Sequence, residues 1–215
     1  MTISLGNNPI TAALADRRLL DHPFYRRWER GEVSEAELGA YAAQYRHFEA
    51  YLPGFLAQLV AELPAGKARD LVAANLADEL GDPVAHTELF ERFAGALGAG
   101  DAAASPATAA LLASYQGLLS RGPAAALAGF LAYESQSAEV ASSKAEGLRN
   151  HYGMSDGAVS FWDHHAAVDV QHGAWAWDAL SALTDTPEEL VPAVRAGAEA
   201  WWAFLDEREG LAQAA

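Results

Sequence analysis

Apolar positions in this chain fall at helical spacing: Leu127, Leu131, Ala138 and Ala141 share one face, and Phe161, Trp162, Val168 and Trp175 share another. Punctuation between such stretches is regular. Asn8-Pro9, Asp82-Pro83, Ser105-Pro106, Gly122-Pro123 and Thr186-Pro187 each place proline where a first helical turn tolerates it, so each marks a predicted helix start. Ser34-Glu35-Ala36-Glu37 and Thr186-Pro187-Glu188-Glu189 read as capping boxes. Stops fall at Gly31, 64–66, Gly81, 98–100, Gly122 and Gly153. The pattern predicts helices near 9–20, 23–30, 35–63, 67–80, 83–97, 106–120, 123–151, 157–183 and 187–209, with a bend at Pro53. Short connections imply one helical bundle over residues 1–215, with a surface loop after Gly98 and a tail that frays from Leu211.

Composition agrees with an all-α chain. Of 215 residues 49 are Ala, against 10 Val and two Ile, too few β-branched residues for a substantial sheet. Lys and Arg number 14 and Asp and Glu 29, a net charge of −15, which disfavours nucleic acid and anionic lipid as partners. Absence of cysteine excludes disulfides, thiolate metal sites and cysteine nucleophiles. The N-terminus has no signal-peptide pattern and no apolar run reaches membrane-spanning length, so a soluble cytoplasmic protein is expected.

Histidine spacing changes the picture from fold to chemistry. His165, Asp169 and His172 follow i, i+4, i+7 and stack on the apolar face of their helix, whereas His164 is expected to point about 100° away. Ionisable groups on a buried stripe need partners. A metal ion would serve, and so would a hydrogen-bonded Asp–His pair beside a core histidine. Glu134 is another acid on an apolar stripe, although a single buried Glu is commonly a satisfied structural acid. Glu79 and His86, seven apart, align only if the chain kinks between them at Gly81 and Pro83. Glu88 and Glu91 read as solvated. Three carboxylates and three imidazoles from three helical segments form a dinuclear inventory of the kind that holds iron or manganese in helical bundles.

These residues resemble the haem-oxygenase-like di-metal oxidases, and among them the CADD-like group, named for the Chlamydia protein associating with death domains. The resemblance runs through His22-Pro23-Phe24-Tyr25, Glu79…His86, Tyr133-Glu134, Lys144-Ala145-Glu146-Gly147-Leu148…Tyr152-Gly153 and His165-x3-Asp169-x2-His172. It implies a TenA/PqqC-like helical fold, a homodimer, and six metal ligands: Glu79, His86, Glu134, His165, Asp169 and His172. It also implies two iron ions or a manganese–iron pair, dioxygen as co-substrate and an external reductant. The group makes para-aminobenzoate for folate, with its own tyrosine supplying the ring and its own lysine the amino group. The matching residues are Tyr25 and Lys144, with Tyr133 beside Glu134. Lys144 is one of only two lysines, against 12 arginines. One departure is Phe161, where the group has a tyrosine one turn before the first motif histidine.

Other readings compete. The same di-metal chemistry could act on an external small amine, amino acid or fatty acid. Thiaminase chemistry of the TenA type needs a cysteine nucleophile that is missing here, a PqqC-like site would want basic residues, and haem ligation through His22 or His47 lacks a glycine-rich distal helix. A non-enzymatic acidic interaction module would leave the histidines structural and use Trp175, Trp177, Trp201, Trp202 and Phe204 as a partner surface. Irregular backbone between Glu79 and Pro83 predicts that one of two ions is held less tightly than the other.

Overall fold

Helix ends form where the chain satisfies the backbone groups that a helix leaves free. A computed structural model describes residues 9–81 and 84–213. It contains helices α1 (Pro9–Leu14), α2 (Pro23–Glu29), α3 (Glu35–Glu62), α4 (Lys67–Leu80), α5 (His86–Ala96), α6 (Pro106–Leu119), α7 (Pro123–Tyr152), α8 (Asp156–Leu183) and α9 (Val191–Gln213). Two 3₁₀ turns, Leu19–Asp21 and Pro187–Leu190, complete the secondary structure, with no strand among the described residues. The fold is all-α, as the composition required.

Several caps are the ones read from the sequence. Ser34 and Glu37 satisfy each other's backbone donors in a closed capping box, and at the predicted Ser105-Pro106 start the Ser105 hydroxyl accepts from the Thr108 amide; at Ser155, where no cap was predicted, the hydroxyl accepts from the Ala158 amide. Helix α3 continues through Pro53. Gly153, left-handed at φ 60°, ends α7, and the Met154 amide donates to the Leu148 carbonyl.

Four boundaries differ, one of them at the C-terminal end, where α9 continues to Gln213 past the predicted end at 209 and through the first residues of the predicted frayed tail. The helix predicted over 9–20 stops at Leu14, where the Arg17 amide donates to the Leu14 carbonyl in a tighter turn, and beyond it the Leu19 amide donates to the Gln136 side chain of α7 at 2.8 Å. At Thr186 no capping box forms: its amide donates to the Thr184 hydroxyl, and a 3₁₀ turn precedes α9. The helix predicted from Pro83 begins at His86; Asp82 and Pro83 themselves lie outside the described residues, as do Asn8 and positions 214–215 of the tail. Gly81 closes α4 at φ 71°, and a Cβ there would collide with the Val84 carbonyl. Glu79 and His86 therefore stand on two helices joined by a sharp break.

Helix α7 is the central element. It packs along α8 and against α6 and α9, while α4 and α5 cover the other side of α8 and α3 closes the space between α4, α5 and α6. Trp201 and Phe204 of α9 are core, whereas Trp175, Trp177 and Trp202 are half-buried. No helix among the described residues is long and apolar enough to cross a membrane.

The α7–α9 contact depends on a glycine pair, since a Cβ at Gly197 would run into the Gly129 carbonyl. Gly197→Ala should lower stability by about 1–3 kcal/mol through overpacking. Urea denaturation should show a lower midpoint at an unchanged m-value.

Candidate metal centre

The centre lies where α3, α4, α5, α7 and α8 meet. On α8, His165, Asp169 and His172 are all buried, as their spacing predicted, although Val168 and Trp175 of the same stripe are only half-buried. The Phe161 carbonyl can only accept, so His165 Nδ1, 2.9 Å away, donates to it and Nε2 is the nitrogen left to face the trio. Glu79 ends α4, His86 begins α5, and the turn at Gly81 brings His86 Nδ1 to 2.9 Å from Glu79 Oε2. Glu134 enters from α7, 3% exposed.

The six residues gather as two trios. Glu79, His86 and His165 form one; Glu134, Asp169 and His172 form the other, each with its ligand atoms within 4.8 Å of one another and every member buried. Within the second, His172 Nδ1 lies 3.2 Å from Asp169 Oδ1. Nitrogens and carboxylates approach without aligning: His86 Nδ1, His172 Nδ1 and Glu134 Oε2 have no hydrogen-bond partner among the described residues. Orphaned polar atoms this deep cost stability, and lone pairs converging on shared space are the donor arrangement a metal ion needs.

Electrostatics points the same way. Burial, reinforced by the charges of Asp169, Glu79 and Glu49, pushes the Glu134 carboxyl well above the usual carboxylate range. Asp169 is held below that range, because His165 and His172 outweigh its burial. His172 is in turn raised above the ordinary imidazole value, because Asp169, Glu79 and Asp78 outweigh its burial, and neither trio contains a Lys or Arg.

Three further polar residues adjoin the trios, and the sequence reading had assigned none of them. Glu49 of α3 is 4% exposed, its Oε2 is unpartnered, and burial with Glu79 and Asp169 nearby raises its pKa strongly. Its signal was present, an acid one turn beyond Tyr45 in a stripe with Phe48 and Leu52. His164 does not point away: its Nε2 is 2.7 Å from His86 Nε2, because the start of α5 lies beside that flank of α8. Half-exposed Asp78 places Oδ2 2.9 Å from His172 Nε2. Glu88 and Glu91 are solvated acids paired with Arg92 and Arg46. His22 caps α2 through Nδ1 and bonds Asp206 through Nε2, and His47 bonds the Ala102 carbonyl, so both are engaged structurally.

Beyond the trios lies an aromatic chamber. Lys144 Nζ, 2% exposed as a residue, donates to the Tyr41 hydroxyl at 2.6 Å, and that hydroxyl bonds Tyr25 at 2.9 Å. The same nitrogen sits 4.6 Å from the Tyr25 ring centroid and 3.9 Å from that of Trp162. Burial holds Lys144 well below the ordinary lysine range, with Glu49 opposing, and raises the Tyr25 hydroxyl. Tyr133, adjacent to Glu134, bonds Tyr45 hydroxyl to hydroxyl. Phe161 is buried, its ring 4.2 Å from His165.

Comparison with known proteins fits this geometry. A family model described as iron-containing redox enzyme matches residues 39–206. The chain belongs to the iron-containing redox enzyme family. It is similar to a 4-aminobenzoate synthase of Nitrosomonas europaea, 33% identical over 96% of this chain and 92% of the relative. A 4-aminobenzoate synthase of Chlamydia muridarum is 29% identical over 92% and 87%. Among solved structures, a TenA homologue from Pseudomonas syringae superposes with a TM-score of 0.79 at 17% identity, covering 94% of this chain and 90% of that one. The fold is thus the haem-oxygenase-like bundle, and this iron-containing redox enzyme is an oxidoreductase. Its donor set suits iron: nitrogen and oxygen ligands only, with orphaned atoms turned inward.

Lys144 makes a stability prediction. Its folded pKa is depressed, so the unfolded chain binds the extra proton and wild-type stability rises with pH until the ordinary lysine value near 10.5. Metal-free Lys144→Met should therefore have a higher urea midpoint at pH 7, with the advantage shrinking as pH approaches 10.

Proposed function

We propose that this oxidoreductase makes 4-aminobenzoate (para-aminobenzoate), with Tyr25 supplying the ring and Lys144 the amino nitrogen, and that the two trios hold two metal ions. When bound, two iron ions or a manganese–iron pair supply the activation of dioxygen, fed by an external reductant. The observation that carries the reading is the Lys144 amine, buried 4.6 Å from the centroid of the Tyr25 ring. The amine forms no ion pair among the described residues, and burial disfavours its charged form. The neutral form keeps a nucleophilic lone pair.

The chain's residues divide the remaining work. Tyr41 fixes both reacting groups, accepting from Lys144 Nζ and sharing a hydrogen bond with Tyr25. Trp28, Trp162 and Phe24, each at most 2% exposed, exclude water from the chamber. Tyr133 and Tyr45 place two phenols between Glu134 and the Tyr41 ring, which stacks on Tyr45 at 5.4 Å. Phe161 has no phenolic hydrogen to give, and this Tyr133–Tyr45 pair supplies the nearby hydroxyls that it lacks. Glu79 and His86 straddle the break after Gly81, so their trio is the easier one to empty, because local opening there costs less than in continuous helix.

Protein purified with iron and manganese supplied should retain close to two ions per chain, and His165→Ala should lose most of one. Retention well below one ion, unchanged in His165→Ala, would remove the di-metal reading. After incubation with reductant and oxygen, intact-mass and peptide analysis should show mass loss at Tyr25 and Lys144 in step with 4-aminobenzoate. Product accumulating over unmodified protein would instead assign an external substrate. Chelator should withdraw metal in two phases, the faster one assigned by its absence in Glu79→Gln.

A further inference from the structure

His86 and His172 each turn one ring nitrogen inward and one outward. Their Nδ1 atoms face Glu79 and Asp169 at 2.9 and 3.2 Å. Their Nε2 atoms face a second, less buried layer: His164 Nε2 lies 2.7 Å from His86 Nε2 in good hydrogen-bond geometry, and Asp78 Oδ2 lies 2.9 Å from His172 Nε2 in a more bent approach. Asp78 Oδ2 also stands 3.8 Å from His86 Nε2, so one carboxylate reaches toward both rings.

A neutral imidazole has one N–H, and the nitrogen that binds a metal must be the other one. Both inward Nδ1 atoms are buried with no aligned acceptor, so a proton there would be an unsatisfied buried donor. On Nε2 the proton of His86 meets His164 in aligned geometry; in His172 neither carboxylate is aligned, and Asp78, 2.9 Å from Nε2, stands nearer than Asp169, 3.2 Å from Nδ1. His165 follows the same logic with its nitrogens exchanged, since the Phe161 carbonyl fixes its proton on Nδ1.

We infer that His164 and Asp78 are positioning residues, one for each trio, which hold the proton of His86 and of His172 on Nε2 and so leave Nδ1 bare toward the metal. The inference rests on the proposal that the trios bind metal. It assigns His164 its own proton on Nδ1, with Nε2 as acceptor. Asp78, His86 and His164 are also close enough to form a cation trio of their own. An ion there would take His86 Nε2 and leave an N–H facing Glu79, dismantling the inner donor set; the two arrangements exclude each other at His86.

The test uses the full chain, ¹⁵N-labelled at histidine and loaded with Zn(II), a diamagnetic ion that accepts the same donors. Long-range ¹H–¹⁵N correlation should show His86 and His172 metal-shifted at Nδ1 and protonated at Nε2, with His165 reversed. Zinc bound through Nε2 of His86 or His172, or a third equivalent that shifts His164, overturns the inference while leaving metal binding intact. No zinc-dependent shift at any of these histidines removes the metal-centre proposal itself and the inference with it. In zinc titrations Asp78→Ala should weaken the His172 trio, and His164→Ala the His86 trio, each by about 10- to 100-fold. Asp78→Asn, which keeps an acceptor oxygen, should recover most of the loss, a recovery that a merely structural role would not produce. Unchanged affinity in both alanine variants, with helical content preserved, also overturns it.

Discussion

Four carboxylates, Glu49, Glu79, Glu134 and Asp169, are each at most 4% exposed in the interior of this bundle, and no permanent cation lies among them. That imbalance is the constraint on which the structure turns. Burying an acid is tolerable when it is neutralised or paired, and the partners on offer within the trios are three imidazoles. The nearby Lys144 does not redress the balance, since its loss of hydration on burial favours the uncharged form. Raised pKa values at Glu49 and Glu134 are the symptom: each competes with its neighbours for the right to stay ionised. Divalent cations reverse that pressure, so binding them and stabilising the fold are one free-energy term.

Why the acids nevertheless sit there follows from how the helices are held. The caps at Ser34, Ser155 and Gly153 set where α3, α7 and α8 start and stop, and the Gly129–Gly197 contact locks α7 against α9 on the side away from the trios. A framework fixed by backbone groups and apolar packing can carry a strained polar centre, with its cost spread over the whole core.

Legibility in the sequence tracked locality. His165, Asp169 and His172 could be placed on one face because a single helix carries all three, and their period alone settles it. Ser34 and Glu37 were equally readable, since a capping box is complete within four residues. Thr186 shows the same signature and forms no box, because Thr184 offers its amide a nearer acceptor. Past the early end of the first helix, the Leu19 amide finds its acceptor on Gln136, well over a hundred residues away, a contact that no local pattern encodes. His164 was misplaced for the same reason: its angle on α8 was right, but the flank it faces is covered by α5, whose position depends on the turn at Gly81. Family resemblance singled out Tyr25 and Lys144; nothing in their spacing does.

The aromatic chamber and the two trios look like separate devices, yet one residue type connects them. Tyr45 stacks on Tyr41 at 5.4 Å, bonds Tyr133 beside Glu134, and stands edge-on to Phe161 at 6.5 Å. Replacing a phenol by phenylalanine at 161 removes a hydroxyl from the side of His165, but the path from Glu134 through Tyr133, Tyr45 and Tyr41 to Lys144 and Tyr25 does not pass through that position. All four tyrosine hydroxyls on it have pKa values raised by burial, so none is lost as a simple acid near neutral pH. Oxidation of any of them would have to move proton and electron together, since the burial that holds the proton on the phenol in the resting protein leaves no nearby water to receive it separately.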